Sequence, residues 1–187
     1  MKLAHFLECY PPSNTTPAPK EMLLKYKDIL PYGIIQIWHQ HGFGKYGEGI
    51  IEIIDPEHYI DAMETWLGKR PSNYVPIAVT AFGELFYYRK LTMNDEDVCM
   101  IDPHYSQIST CCWSLDEFFN EWLCLDDIRD EILRSHLFQE ACKKLGTLRT
   151  RQIYLFEPAL PLGGSGEVDS LGKGDCAVHL QLLFQLR

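Results

Sequence analysis

The seven cysteines are the residues best suited to metal or covalent chemistry, but their spacing supports neither. The chain has no CxxC pair and no Cys/His block with the spacing of a zinc site. Cys111 and Cys112 are neighbours on a predicted strand, so they point to opposite faces and cannot easily share one tetrahedral ion. The pattern predicts reduced, mostly buried thiols in a cytoplasmic protein and no metal site.

Histidine, serine and glycine motifs give no recognisable active site. His39 and His41 are two residues apart on a predicted helix and so point about 200° away from each other. Ser165 lies between two glycines but lacks the GxSxG frame of a nucleophile elbow. The glycines of residues 42–49 follow a helix and open a strand, which is the reverse of a phosphate-binding loop. We therefore expect no catalytic residue and no cofactor.

Acidic side chains are concentrated in one part of the sequence. The net charge is −9, and residues 95–131 hold eleven acidic residues against one basic residue, Arg129. Acids are favoured in the first turns of helices, which explains some of them locally, but solvated helix faces usually mix both signs. A block of one sign predicts a basic protein partner and disfavours nucleic acid. The expected surface comprises residues 95–97 and 116–131, with these candidate contacts: Asp116, Glu117, Glu121, Asp126, Asp127 and Asp130.

The elements that must position these residues form an α+β pattern. Residues 11–19 are rich in proline and turn formers, which predicts an extended or loosely held entry segment. Helical spacing of apolar residues predicts helices over 20–30, over the ten residues after Pro31, and over 56–67. Strands are expected at 50–54, 75–81, 84–89, 97–101 and 107–113. The links between the strands are too short for crossover helices, which predicts an antiparallel sheet.

The second part of the chain is predicted to be mainly helical. Ser114 and Glu117 have the spacing of a capping box, and either Asp126 or Asp127 is expected to cap the next helix. A strand over 151–156, a loop over 158–166 and an apolar element of undecided type over 179–186 follow. No apolar run approaches the roughly 20 residues needed to cross a bilayer, so no membrane association is expected.

Several motifs resemble known families. Residues 47–56 and the Phe82-Gly83 hairpin within 77–86 resemble the GAD-like domain. Residues 158–164, 168–171 and 179–183 are similar to the C-terminal half of type VI secretion immunity proteins that protect bacteria from DNase toxins. This likeness implies a cytoplasmic, non-enzymatic inhibitor. It divides the chain into an extended segment (1–19), a GAD-like part (20–113) and a helical immunity-type part (114–187), or joins the last two in one continuous domain.

The leading hypothesis is an immunity-type protein whose acidic surface docks on the basic DNA-binding surface of a nuclease toxin. The loop around Gly163, Gly164 and Ser165 is a second candidate contact, because a flexible loop can enter a partner's cleft; the alternative is a plain connection. Two rival functions remain. One is an orphan regulatory or scaffold module of the same fold, and the other is an enzyme whose Cys and His residues meet only in space.

Overall fold

Short strands, with the central ones buried along most of their length, form a meandering antiparallel sheet. The computed structural model describes residues 3–69 and 72–187. Within them, the main sheet has seven strands in sequential order, each antiparallel to the next. The strands are β1 (Pro12–Thr16), β2 (Phe43–Tyr46), β3 (Ile51–Ile53), β4 (Tyr74–Thr80), β5 (Leu85–Lys90), β6 (Glu96–Asp102) and β7 (Gln107–Cys112). The predicted α+β class with a central antiparallel sheet is confirmed.

Helices precede, interrupt and follow the sheet. Four lie in the described residues before β5, namely α1 (Ala4–Cys9), α2 (Lys20–Tyr26), α3 (Tyr32–Gln40) and α4 (Ile60–Leu67). Four more lie after β7: α5 (Leu115–Asn120), α6 (Asp126–Glu131), α7 (Ser135–Leu145) and α8 (Cys176–Phe184). A two-stranded sheet of β8 (Gln152–Phe156) and β9 (Leu171–Asp175) completes the fold. None of the described helices is both long and apolar enough to cross a membrane.

The entry segment and the glycine-rich segment differ from the sequence prediction, because they pair with each other. Residues 1–19 include helix α1 as well as strand β1, and the glycine-rich segment contributes strand β2. Gly44 permits this pairing: its φ is +134°, and a Cβ there would lie 2.1 Å from the carbonyl oxygen of Asn14. Only glycine fits such a close backbone approach, so these glycines serve sheet pairing.

Three predicted helix boundaries were wrong. The helix expected over 20–30 ends at Tyr26, and α4 starts only at Ile60 after a 3₁₀ turn over Pro56–His58. Neither Asp126 nor Asp127 caps α6: the N-cap residue is Leu125, and both acids lie in the first turn. The undecided terminal element is the helix α8.

Two hydrophobic clusters each join the segments before and after Ser114. Phe86 of β5 packs on Phe118 of α5, with ring centroids 5.0 Å apart. Buried hydrogen bonds also cross this boundary. Trp66 Nε1 donates to the carbonyl oxygen of Leu180 at 2.9 Å. The backbone N–H of Tyr154 donates to the carbonyl oxygen of Ala81 at 2.8 Å. The part of the chain after Ser114 therefore packs directly on the sheet.

Two buried ion pairs reinforce this junction. Lys45 and Glu52 pair at 2.6 Å on neighbouring strands, and both side chains are only 2% exposed. Lys45 Nζ also donates to the carbonyl oxygen of Gln152 at 2.8 Å, and Glu52 accepts the backbone N–H of Arg151 at 2.9 Å. The second pair joins Glu84, at the start of β5, to Arg134 before α7.

Candidate functional site

The candidate site is the solvent face of α5, α6 and the 3₁₀ turn Trp122–Cys124 between them. Helices α5 and α6 each contact the turn. The apolar side chains of α5 and of the turn are buried or half-buried, Ile128 of α6 is half-buried, and the acidic side chains stay in solvent. We call the exposed set the acidic surface; it consists of Asp116, Glu121, Asp126, Asp127, Asp130 and Glu131.

Few positive charges lie within the acidic surface. In the described part of the chain its one ion pair joins Asp126 to Arg129 on the same helix, with 3.9 Å between Oδ1 and the guanidinium nitrogen and with both side chains exposed. Asp116 accepts from the Asn120 amide, and Asp130 accepts from the Ser135 hydroxyl at 2.9 Å. These two partners are neutral, so they add no positive charge to this set of acidic side chains.

Glu117 has a different task from the other candidates. The Ser114 hydroxyl accepts the backbone N–H of Glu117 at 3.1 Å, as the capping box predicts. The Glu117 carboxylate in turn accepts the backbone N–H of Trp113 at 3.1 Å. Because this half-buried carboxylate is used to start α5, Glu117 is only partly available to a partner.

Glu96 and Asp97 are engaged inside the fold, so for these two residues the predicted acidic surface was wrong, whereas Asp95 is exposed. Asp97 is fully buried and faces Arg89 on the adjacent strand, with 2.7 Å between its Oδ1 and Arg89 Nε. Glu96 accepts from the Tyr88 hydroxyl and from a backbone N–H at the start of α5. Pairing of β5 with β6 brings the opposite charge to this position from eight residues away, which the local charge count did not consider.

Two exposed apolar side chains accompany the acidic residues and were missed from the sequence. Trp113 is 71% exposed, directly before the capping box, and Leu125 is 54% exposed, directly before α6. The sequence interpretation extended β7 through Trp113, which gave its side chain no special role. Its place between a strand end and a helix cap was a signal that could have found it, because such a junction turns a side chain away from the sheet.

The loop around residues 158–166 is a closed turn. The backbone N–H of Gly164 donates to the carbonyl oxygen of Ala159 at 3.2 Å, and the hydroxyls of Ser165 and Ser170 are 3.2 Å apart. A Cβ on Gly164 would lie 2.0 Å from the Pro158 carbonyl oxygen, so glycine is needed there. Gly163 and Ser165 are exposed. Their role in partner binding stays a prediction.

A buried polar cluster lies where the Thr80–Glu84 turn meets Arg134 and α8. Burial opposes the charged form of Glu84, but Arg134, His104 and the hydroxyl of Thr80 outweigh it and lower the pKa of this carboxyl. His104 Nε2 donates to the carbonyl oxygen of Phe82 at 2.9 Å. The His179 ring lies 6.4 Å from that of His104. Thr80, Glu84, His104 and His179 are buried and Arg134 is 16% exposed, so the hydrogen bonds and charges of this cluster mainly hold the fold together.

Five of the seven thiols have a raised pKa and offer little nucleophilic chemistry. Burial raises the pKa of Cys112 and of Cys124 to about 12, and that of Cys176 further still. A thiol with a raised pKa is rarely ionised at neutral pH, and the thiolate is the reactive form. This counts against an enzyme built on these cysteines.

Residues distant in sequence nevertheless bring one Cys/His group together. One ligand atom each of His5, Cys9 and Cys124 lies within 4.8 Å of the other two. Sequence reasoning missed this group, because Cys124 is far along the chain from the other two. The spacing of four between His5 and Cys9 was the available signal, since it places both on one face of a helix.

Comparison with known proteins adds two family matches. Residues 2–100 match the GAD-like domain, and residues 114–187 match the family described as T6SS immunity protein Tdi1, C-terminal. The crystal structure of Atu4351 from Agrobacterium tumefaciens has a similar fold, with a TM-score of 0.73 and 19% identity over 96% of this chain and 86% of that chain. No curated protein shows significant sequence similarity to this chain.

Proposed function

Because this chain belongs to the family of proteins with a GAD-like domain, and because the remainder matches a type VI secretion immunity domain, we propose that it is a cytoplasmic immunity protein that binds and inhibits a nuclease toxin. The family matches support the immunity role. The nuclease target and the binding face are the parts that we add. No catalysis by this chain is needed for such inhibition.

The exposed carboxylates of α5 and α6 are the observation that carries this proposal. Nucleases contact DNA phosphates with Lys and Arg, so their active faces are positively charged. A protein that presents a negative surface can cover such a face and exclude DNA. Attraction over about 10 Å at ordinary salt speeds the encounter, and burial of exposed apolar side chains then slows dissociation.

Co-expression tests the immunity role directly. A nuclease toxin domain chosen as the candidate target is expressed in a bacterial host with and without this chain, and survival and genomic DNA integrity are measured. We expect survival only in the presence of this chain. Death in both cultures, with the chain folded and abundant, would contradict immunity toward that toxin and favour an orphan binding module.

Charge reversal tests the binding face. The triple substitution Asp126→Lys, Asp127→Lys and Asp130→Lys is expected to lower the association rate with the toxin by about tenfold or more at low salt, because it removes the steering field. The matched control reverses three exposed acids in the first part of the chain, Glu21, Asp28 and Asp61, for the same change in net charge. Rates are measured by surface plasmon resonance across a salt series.

The salt series separates the two outcomes. The difference between the triple variant and the wild-type protein should shrink as salt rises, since screening weakens the field of exposed charges. Equal association rates for the two triple variants at low salt would place the interface elsewhere.

A further inference from the structure

The His5–Cys9–Cys124 group has the composition of a transition-metal site. Two sulfurs and one imidazole nitrogen lie within 4.8 Å of one another, at the contact between α1 and the 3₁₀ turn Trp122–Cys124. In a tetrahedral zinc site, Zn–S bonds of about 2.3 Å place two sulfurs about 3.8 Å apart. The side chains therefore need only to draw inward by about an ångström, which the exposed His5 and the half-buried cysteines can do.

The hydrogen bond of His5 fits a role as a metal ligand through Nε2. His5 Nδ1 lies 2.6 Å from the carbonyl oxygen of Asn120. A carbonyl oxygen can only accept, so Nδ1 carries the proton and Nε2 keeps its lone pair. Metal-binding histidines typically donate their other ring N–H to a backbone carbonyl or carboxylate, which fixes the tautomer and the ring orientation.

The donor set selects the type of metal. Two thiolates and an imidazole suit Zn²⁺, whereas Mg²⁺ and Ca²⁺ prefer oxygen ligands. We propose that His5, Cys9 and Cys124 bind Zn²⁺ with three protein ligands and leave the fourth position to water or to a ligand from outside the chain. Such a site would fasten α1 to the segment that carries the acidic surface. This inference is independent of the proposed inhibition of a nuclease.

Cobalt titration tests the site on the whole protein, reduced and stripped of metal with a chelator. One Co²⁺ per chain should produce thiolate-to-cobalt charge-transfer absorption and the strong visible bands of a tetrahedral ion, and Zn²⁺ should displace it. Zn²⁺ should also raise the melting temperature, because it binds the folded state.

Ligand variants define the residues involved. Cys9→Ser, Cys124→Ser and His5→Asn should each lower the affinity for Co²⁺ by at least about 100-fold, more than is usual for loss of an outer partner. His5→Asn retains a donor near Nδ1, and His5 is exposed, so this variant is expected to fold normally. Cys111→Ser is the control and should bind as the wild-type protein does, since Cys111 lies outside the group.

Two results would overturn the site. One is a folded, reduced protein without charge-transfer absorption at saturating Co²⁺. The other is equal metal affinity in the wild-type protein and all three ligand variants, which would assign the binding to other groups. Neither result bears on survival in the co-expression experiment, so the two proposals fail separately.

Discussion

Individual buried polar residues were the hardest feature to anticipate. His179 is 9% exposed, and its Nε2 has no hydrogen-bond partner among the described residues. Burial, together with the nearby His104, lowers the pKa of His179 to about 4. One ring neighbour of His179 is His104, which lies in the β6–β7 connection far earlier in the chain. No local sequence pattern could have supplied this contact.

The low pKa of His179 makes stability depend on pH. Between about pH 6.5 and about pH 4 the unfolded chain binds a proton at this residue and the folded chain does not, so unfolding becomes easier as pH falls through this window. We expect protonation of His179 to lower the unfolding free energy by an amount on the order of 2–3 kcal/mol by the time the pH reaches about 4. His179→Gln should flatten the curve of unfolding free energy against pH in urea denaturation.

The curves of unfolding free energy against pH for His179→Gln and for the wild-type protein are subtracted from each other. This is needed because both proteins also lose stability in acid through Glu84, whose pKa is lowered in the folded state. His39→Gln is the control, since His39 is exposed, and it should retain the wild-type slope. Parallel curves for His179→Gln and wild-type protein would show that His179 titrates normally.

At the scale of the element, the start of α5 shows what the sequence could predict. The predicted cap by Ser114 was correct, and the Glu117 carboxylate does reach back, but to the backbone N–H of Trp113, one residue before the cap. The predicted N-cap residue of α6 was wrong, because acids in a first turn and an acid at the cap position give nearly the same sequence pattern. Exposure of Trp113 depends on where β7 stops, and that is set by pairing with β6.

Trp113 is expected to anchor the toxin complex. Large aromatic residues dominate the binding energy of many interfaces, and this one lies beside the acidic residues of α5. Trp113→Ala should weaken toxin binding by about 2 kcal/mol or more, roughly 30-fold, mainly through faster dissociation. Calorimetry measures the affinity, and an unchanged melting temperature confirms that folding is intact.

Tyr32→Ala serves as the matched control, because Tyr32 is also an aromatic residue that is 70% exposed, at the start of α3. If both alanine variants bind as the wild-type protein does, Trp113 lies outside the interface.

At the scale of the whole molecule, the sequence predicted the class and antiparallel order of the sheet but left open whether the two parts share a core. Local antiparallel links can be inferred from the short connections between strands. The contacts that join the parts cannot, since Lys45 meets Gln152 and Glu84 meets Arg134 only after the chain returns over the sheet. For the same reason the count of acids overestimated the negative surface at Asp97.

The Glu84–Arg134 pair should be essential to this junction. Arg134→Met removes the cation and leaves a buried carboxylate without its main partner, so we expect a loss of about 3–5 kcal/mol in unfolding free energy. Adding Glu84→Gln should recover much of the loss, because the unpaired charge disappears. Urea unfolding measures both.

Arg129→Met is the control for this pair. Arg129 is exposed, so its loss should change stability by no more than about 0.5 kcal/mol. A loss below 1 kcal/mol for Arg134→Met would mean that the pair contributes little to the junction.

The contact of α1 with the turn after α5 also determines how late during translation the first helix can complete its packing. Tyr10 donates its hydroxyl hydrogen to the carbonyl oxygen of Leu123, 113 residues later. At about 5–20 residues per second, a ribosome needs roughly 6–23 s to deliver that partner. The meander can pair strand by strand as it emerges, and Phe6 can pack on Tyr46 early, whereas its contact with Phe119 must wait until most of the chain has been translated. A newly made molecule therefore completes its fold late in translation. Until then, chaperones can bind the first helix.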